Sequence, residues 1–165
     1  MTVKPRRSYE AGHRPKFLVI VDETEECDRA VYFAARRAGR VGAELALLAV
    51  ISPPEFQHWL GVGTVMEAEA GEEAQRRLDV ASACARDLTG ADPQLVIRTG
   101  AKAEQVLAVI EEDEDIALLV LAAGSGPDGP GPLVAGLAGK GAASFPVPIA
   151  IVPGGLSDRD IDALA

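Results

Sequence analysis

Short segments in which every residue is apolar constrain the fold of this chain more than any other feature. Residues 17–21 read FLVIV, and residues 116–122 read IALLVLA. A strand with one face in water alternates apolar and polar residues, whereas these segments do not alternate, so we predict strands buried on both faces. Residues 44–51 and 147–152 have a similar character. Strands of this kind occur in parallel sheets that are covered by helices on both sides.

Segments with helical periodicity separate the predicted strands. In each of them, apolar residues recur every three or four positions, which is typical of a helix that packs on a sheet. The regular alternation of strand and helix predicts an α/β fold with five parallel strands, joined by right-handed crossovers. The predicted helices lie at 24–42, 64–88, 103–115 and 133–143, and the remaining strand lies at 93–99.

Composition limits the class of partner. With 165 residues, the chain is long enough for one domain with a substantial core. Its net charge of −9 argues against a nucleic-acid partner, because such binding needs Lys and Arg to neutralise phosphates. No segment approaches the roughly 20 apolar residues that cross a bilayer, and the N-terminus lacks the apolar centre of a signal peptide. We therefore expect a cytoplasmic protein without a membrane partner.

Positive charge is concentrated at the start of the chain. We predict that residues 1–15 form a flexible, solvated basic arm, with electrostatic docking as the alternative. The α/β domain then covers residues 16–153, and residues 154–165 form a tail. Within that tail, Ser157 and Asp160 have the spacing of a helix cap, which predicts a small terminal helix. The basic residues of the first sixteen are Lys4, Arg6, Arg7, Arg14 and Lys16.

Residue types that carry out catalysis or bind metals are few and poorly placed. Cys27 and Cys84 lie on the predicted apolar faces of helices, which indicates core positions in a reducing compartment. Of the two histidines, His13 lies in the arm and His58 follows the second strand, and no GxSxG motif joins a strand to a helix. The acidic run at 111–115 is typical of a solvated helix end. We predict no catalytic residue and no metal site.

A loop rich in glycine and proline follows the strand at 116–122. Residues 124–129 read GSGPDG and match the GxGxxG pattern of dinucleotide sites. That motif holds a pyrophosphate where a helix begins within it. Here three prolines at positions 127, 130 and 132 remove N–H donors and delay the helix to about residue 133. The letters alone therefore do not predict a dinucleotide site, although a glycine loop after a buried strand is a common place for phosphate.

Asp22 is the most informative polar residue, because it follows the first strand directly. Ligands of open parallel sheets bind at the carboxyl ends of the strands, where the strand order reverses. If the first and fourth strands are neighbours, Asp22 and Gly124 face the same crevice. Asp22 can accept hydrogen bonds from a base or a sugar there. Alternatively, its side chain accepts from the backbone of Thr24 and Glu25 at the start of the helix.

The start of the chain and its last strand together resemble the universal stress protein family. Residues 17–24 read FLVIVDET. In that family, the first strand ends in Asp, a Ser or Thr follows two residues later, and an alanine-rich helix comes next, here with Arg29-Ala30. Residues 47–50 (LLAV) resemble the second strand, and residues 146–152 (PVPIAIV) resemble the closing Pro-x-Pro strand.

This resemblance covers about residues 16–153 and implies a specific architecture. The expected fold is a Rossmann-like three-layer sandwich, with five parallel strands in the order 3-2-1-4-5 and helices on both faces. The resemblance also implies a homodimer that forms through the last strand, which begins at Val147 and ends at Val152. An apolar terminal strand would otherwise leave an unpaired edge exposed.

The resemblance further implies an adenine-nucleotide site, with ATP and Mg²⁺ as the expected ligands. In members that bind nucleotide, ATP contacts the first-strand Asp, the end of the second strand and a loop of the form G-x-x-G, nine residues, G-S/T. Residue 140 is Lys rather than Ser or Thr, so this loop is divergent, although Lys140 can supply a positive charge to a phosphate. The matching positions are Asp22, Val50, Gly126, Gly129 and Gly139, with Gly124 in the same crevice.

These features together predict a cytoplasmic, homodimeric regulatory protein of the universal stress type, with a degenerate ATP or adenine-nucleotide site and no enzymatic activity. Two alternatives remain open at this point. One is a slow ATP-hydrolysing enzyme of the adenine-nucleotide-handling α/β group. The other is a nucleotide-free dimeric scaffold for protein interactions.

Overall fold

Five parallel strands form a single sheet in the part of the chain that a computed structural model describes, residues 4–53, 62–139 and 141–165. They are β1 (Lys16–Ile20), β2 (Glu44–Ile51), β3 (Gln94–Thr99), β4 (Ile116–Ala123) and β5 (Ile149–Pro153). Their order is β3-β2-β1-β4-β5, and every neighbouring pair is parallel. Both the predicted class and the predicted strand order are confirmed.

Helices cover both faces of this sheet, as predicted. They are α1 (Cys27–Val41), α2 (Val62–Thr89), α3 (Lys102–Glu112), α4 (Pro132–Ala138) and α5 (Asp158–Leu164). Residues of α1 and α2 share one core with the sheet, and residues of α3 and α4 share another on the opposite face. None of the helices described is long and apolar enough to cross a membrane.

The central strand β1 shows why the strands are continuously apolar. Val19 packs into the core formed with α1 and α2, whereas its neighbour Leu18 packs into the core formed with α3 and α4. Both side chains are fully buried. Successive side chains of a strand point to opposite faces, so a strand between two helical layers needs an apolar residue at every position.

α1 begins at Cys27, three residues later than the sequence predicts. Thr24 donates its N–H and its hydroxyl to Oδ1 of Asp22, at 3.0 and 2.5 Å, and does not cap the helix. Glu26 takes the N-cap position without a capping bond from its side chain. The segment between β1 and α1 therefore stays at the carboxyl edge of the sheet. At the other end, Gly42 closes the helix in the left-handed conformation, with φ of 75°.

The helix α4 and the last strand are both shorter than predicted. α4 ends at Ala138, and a separate 3₁₀ turn covers Ala142–Ser144. β5 begins at Ile149 rather than at Val147. Pro148 has no N–H for the ladder, and only its carbonyl takes part, accepting from Leu119 at 3.0 Å.

The basic arm is docked on the domain through several of its residues, as the alternative of electrostatic docking predicted, although most of its described side chains are exposed to solvent. Arg6 Nη1 donates to the carbonyl oxygens of Ile110 and Asp113, at 2.7 and 3.0 Å, at the end of α3. The main-chain N–H of Arg7 donates to the carbonyl of Glu114 at 2.9 Å. Arg6 thus satisfies carbonyl groups that a helix end leaves without intrahelical partners.

The acidic run after α3 is the surface on which the arm lies, and it is not the freely solvated helix end that the sequence suggested. His13 Nδ1 is 2.7 Å from Asp115 Oδ1, and Lys16 Nζ is 2.5 Å from Asp113 Oδ2. Electrostatic docking does occur, but within the chain, between segments about one hundred residues apart.

α5 packs on the outer side of α1 and begins with the predicted cap. Ser157 Oγ accepts from the N–H of Asp160, whose carboxylate accepts in return from the N–H of Ser157. These hydrogen bonds lower the pKa of Asp160. Ile161 is fully buried against the core on the α1 side, and Asp162 accepts from Tyr32 at 2.8 Å, which lowers its pKa.

Candidate functional site

The carboxyl edge of the sheet has a crevice between β1 and β4. The chain runs outward from β1 to β2 and β3 and then crosses back to β4, so the helices that follow β1 and β4 leave the edge on opposite faces. Such a reversal point is where open parallel sheets bind ligands. Asp22 follows β1 at this edge, and Lys102, the first residue of α3, reaches the same place from the other face.

Asp22 has two different partners, one on each carboxylate oxygen. Oδ1 accepts two hydrogen bonds from Thr24, of which the one from the main-chain N–H was predicted as the alternative role of Asp22 and the one from the hydroxyl was not. Oδ2 lies 3.6 Å from Nζ of Lys102. The side chains of Asp22 and Lys102 are 21% and 29% exposed, so this ion pair is only partly shielded from water. Asp22 can therefore offer Oδ2 to a ligand while Oδ1 holds the turn before α1.

Two cavities meet at this ion pair. The β2-side cavity, of about 340 Å³, lies on the α2 side, and Val50 near the end of β2 lines it together with Asp22. The switch-point cavity, of about 130 Å³, lies between the turn before α1 and the loop before α4. Asp22, Glu23 and Lys102 line both cavities. Pockets for small molecules usually measure roughly 300–1,000 Å³, so only the β2-side cavity has that size by itself.

The glycine-rich loop is folded on itself beside the switch-point cavity. The N–H of Gly124 donates to the carbonyl of Pro130 at 3.2 Å, and the N–H of Gly129 donates to the carbonyl of Gly126 at 3.2 Å. Pro127, Pro130 and Pro132 have no N–H to donate. Backbone donors that a phosphate loop presents to its ligand are therefore either absent or already used at these positions.

Glu26 lies against the start of that loop. A Cβ atom placed on Gly124 would be 3.1 Å from Glu26 Oε1 and 2.9 Å from the carbonyl oxygen of Gly129. Glu26 also lines the switch-point cavity. Among the described residues, no Lys, Arg or His forms an ion pair with its carboxylate.

The structure brings together some of the residues predicted from the sequence and separates others. Asp22 and Val50 line one cavity, and Gly124 stands across the crevice next to Glu26. Gly126 and Gly129 lie on the exposed part of the loop, outside the lining of both cavities. Gly139 follows the end of α4, also outside both linings. Lys140 and His58 lie outside the described residues.

Sequence reasoning missed Lys102 and Glu26. Lys102 follows β3 and Gly100-Ala101, and every helix that follows a strand of a parallel sheet begins at the carboxyl edge. That rule alone marks Lys102 as a residue near the crevice. Glu26 precedes α1 in the same way, but nothing in the sequence indicates that it lies beside Gly124, because that contact joins segments about one hundred residues apart.

An apolar groove of about 390 Å³ between α1 and α2 contains both cysteines. Burial raises the pKa of the Cys27 thiol to about 11, and burial also raises the pKa of Cys84. Both thiols therefore stay protonated at neutral pH, which makes them poor nucleophiles. Cys27 is buried, as predicted, and Cys84 is partly buried.

Comparison with known proteins gives one family. The profile of the universal stress protein family matches residues 13–153. A search of curated protein sequences gave no match. Several solved structures are similar to this chain over most of their length. Their sequence identities to it are low, so the similarity supports the fold alone.

The similar structures include universal stress protein UspA from Lactobacillus plantarum, with 18% identity, a TM-score of 0.69, and coverage of 84% of this chain and 97% of that one. A universal stress protein from Archaeoglobus fulgidus in complex with dAMP has 18% identity, a TM-score of 0.58, and coverage of 84% and 97%. A universal stress protein in complex with cAMP has 19% identity, a TM-score of 0.54, and coverage of 85% and 97%.

Proposed function

The chain belongs to the universal stress protein family, and from this membership we propose that it binds an adenine nucleotide in the cleft at Asp22 and acts as a regulatory protein. The proposal concerns this chain's own cleft. Two of the similar structures are described as complexes with cAMP and dAMP, which makes an adenine nucleotide the natural class of ligand to test.

One observation carries the proposal. Asp22 and Val50, the two positions that the family resemblance implies for nucleotide contact, line the same cavity of about 340 Å³. That volume lies within the range of roughly 300–1,000 Å³ that is usual for small-molecule sites. Ile51 supplies apolar surface for a base, and Oδ2 of Asp22 is a hydrogen-bond acceptor for a base or a sugar.

The proposal extends to a cytoplasmic homodimer with a role in the stress response. β5 is the last strand of the sheet, and it pairs with β4 along one edge only within the described residues. Ile151 on this strand is 40% exposed. A second copy that packs on β5 would bury this side chain and protect the open edge.

The binding experiment is calorimetry on nucleotide-stripped protein with AMP and Mg-ATP, together with analysis of freshly purified protein for carried-over nucleotide. Asp22→Asn keeps an oxygen for Thr24 but removes the charge, and we expect it to weaken binding by about tenfold. Asp87→Asn, on the exposed surface of α2, is the matched control and should bind as the unmodified protein does.

Two results would contradict either nucleotide binding or the contact of the nucleotide with Asp22. No heat at millimolar nucleotide, together with no carried-over nucleotide, would leave the nucleotide-free scaffold as the better description. Equal affinity of Asp22→Asn and Asp87→Asn would mean that the nucleotide does not contact Asp22. Phosphate release from ATP is measured in the same samples, and turnover that disappears in Asp22→Asn would favour the slow hydrolase instead.

A further inference from the structure

We propose that this cleft selects a nucleoside monophosphate over a triphosphate, with Lys102 holding the single phosphate and Glu26 excluding a longer phosphate chain. This inference rests on the proposed adenine-nucleotide function and concerns which nucleotide the site takes. The ligand proposed here is a monophosphate, whereas the family resemblance implies ATP with Mg²⁺.

Lys102 stands at the boundary between the two cavities. Its ammonium lies 3.6 Å from Oδ2 of Asp22, and the residue lines both the β2-side cavity and the switch-point cavity. In the proposed arrangement, the base and sugar occupy the β2-side cavity, next to Asp22 and Val50, and the 5′ phosphate lies at this boundary. An ammonium has three donors, and the distance to Asp22 leaves them available to phosphate oxygens.

The space beyond Lys102 is the smaller of the two cavities. The switch-point cavity measures about 130 Å³, whereas the β2-side cavity measures about 340 Å³. Residues 130–134 form part of the lining of the switch-point cavity, where two prolines fix the backbone. A longer phosphate chain therefore has less room here than in the β2-side cavity.

The charges in the switch-point cavity also disfavour a longer phosphate chain. Asp22, Glu23 and Glu26 line this cavity, and Lys102 is the only Lys or Arg among its described lining residues. Each added phosphate brings negative charge closer to Glu26, and like charges repel strongly where water is partly excluded.

Two backbone donors of the loop beside this cavity are not available to offset the charge of added phosphates. The N–H groups of Gly124 and Gly129 are bonded to carbonyls of the same loop. Phosphate loops hold β- and γ-phosphates by such backbone donors. Lys102 can balance part of the charge of one phosphate, whereas a triphosphate needs further donors, and the N–H groups of Gly124 and Gly129 are already bonded.

The test is calorimetry of the full, nucleotide-stripped chain with adenosine, AMP and Mg-ATP at one fixed ionic strength. For the unmodified protein we expect AMP to bind about tenfold more tightly than ATP. Lys102→Met should reduce the affinity for AMP by about tenfold, to that of adenosine for the same variant. Lys102→Arg keeps the positive charge and should retain the preference for AMP.

Glu26→Gln tests whether the charge of Glu26 excludes a longer phosphate chain. This variant should increase the affinity for ATP by about fivefold, which corresponds to about 1 kcal/mol. The affinity for AMP should change less. Glu25→Gln is the matched control, because Glu25 is the exposed neighbour and does not line the switch-point cavity. Far-UV circular dichroism and thermal unfolding establish that each variant is folded.

The outcomes separate this inference from the function on which it rests. If ATP binds as tightly as AMP to the unmodified protein, the selectivity is wrong while nucleotide binding stands. The same conclusion follows if Lys102→Met binds AMP normally, or if Glu26→Gln and Glu25→Gln behave alike. If adenosine, AMP and ATP all fail to bind, the proposed function itself is overturned.

Discussion

Gly124 and Gly154 are positions where a side chain would not fit. A Cβ atom on Gly124 would lie 2.9 Å from the carbonyl oxygen of Gly129, and one on Gly154 would lie 2.7 Å from the carbonyl oxygen of Ala123. Both positions also adjoin Glu26. Neither has a positive φ, so close approach of the backbone, rather than backbone conformation, requires glycine here.

We expect Gly124→Ala to lower the free energy of unfolding by about 1–3 kcal/mol, because backbone atoms must move to admit the methyl group. Gly126→Ala in the same loop is the control. No atom lies within 4 Å of its Cβ position, and it should change stability by about 0.5 kcal/mol or less. Urea unfolding at fixed protein concentration measures both, and equal midpoints would show that the loop adapts to the methyl group.

At the scale of elements, α3 connects two distant parts of the molecule. Its first residue, Lys102, faces the crevice, and the carbonyl groups at its other end accept from Arg6 in the arm. α3 therefore has a polar partner at both ends, although the sequence gives it no side-chain cap at its first turn. The partner at the last turn thus comes from the start of the chain.

Arg6→Ala should destabilise the domain by about 1–3 kcal/mol, because two carbonyl groups at the end of α3 lose a charged donor. Arg7→Ala is the matched control. Its side chain forms ion pairs that are open to water, with Glu10 and Glu114, so we expect no measurable loss. Chemical denaturation distinguishes the two variants, and a loss of equal size in both would mean that overall charge, rather than the contact of Arg6, attaches the arm.

At the scale of the whole molecule, the sheet formed by the described residues has two open edges with similar exposed apolar residues. Leu95 and Ile97 on β3 are each 38% exposed, and Ile151 on β5 is 40% exposed. Open edges with apolar side chains favour pairing with another chain. The family resemblance implies the last strand as the dimer contact, and the exposed face of β5 is consistent with that proposal.

Ile151→Lys should convert the proposed dimer into a monomer, because two ammonium groups would meet where two apolar side chains pack. Leu95→Lys places the same charge on the opposite edge and should leave the dimer unchanged. Sedimentation velocity at micromolar concentration compares the two variants with the unmodified protein. A monomeric unmodified protein would contradict the proposed assembly, and dissociation by Leu95→Lys alone would assign the contact to β3.

Much of the fold could be predicted because local patterns reflect burial on both sides of the sheet. Continuous apolar runs identified the strands, and helical periodicity identified the connections between them. Element ends were less predictable: Thr24 bonds Asp22 rather than the helix that it precedes, and Pro148 delays β5. For the site, the position of Asp22 at the end of β1 was predictable from the strand pattern, whereas its partner Lys102 was not identified.

The sequence by itself determined the α/β class, the approximate elements and, through the family resemblance, the strand order. Only the tertiary structure decided what surrounds Asp22, how the glycine loop is bonded and where the basic arm lies. The physical reason is that apolar periodicity is a local property of the chain. The contacts of Glu26 with Gly124 and of Arg6 with Ile110 join residues about one hundred positions apart, and no local pattern records them.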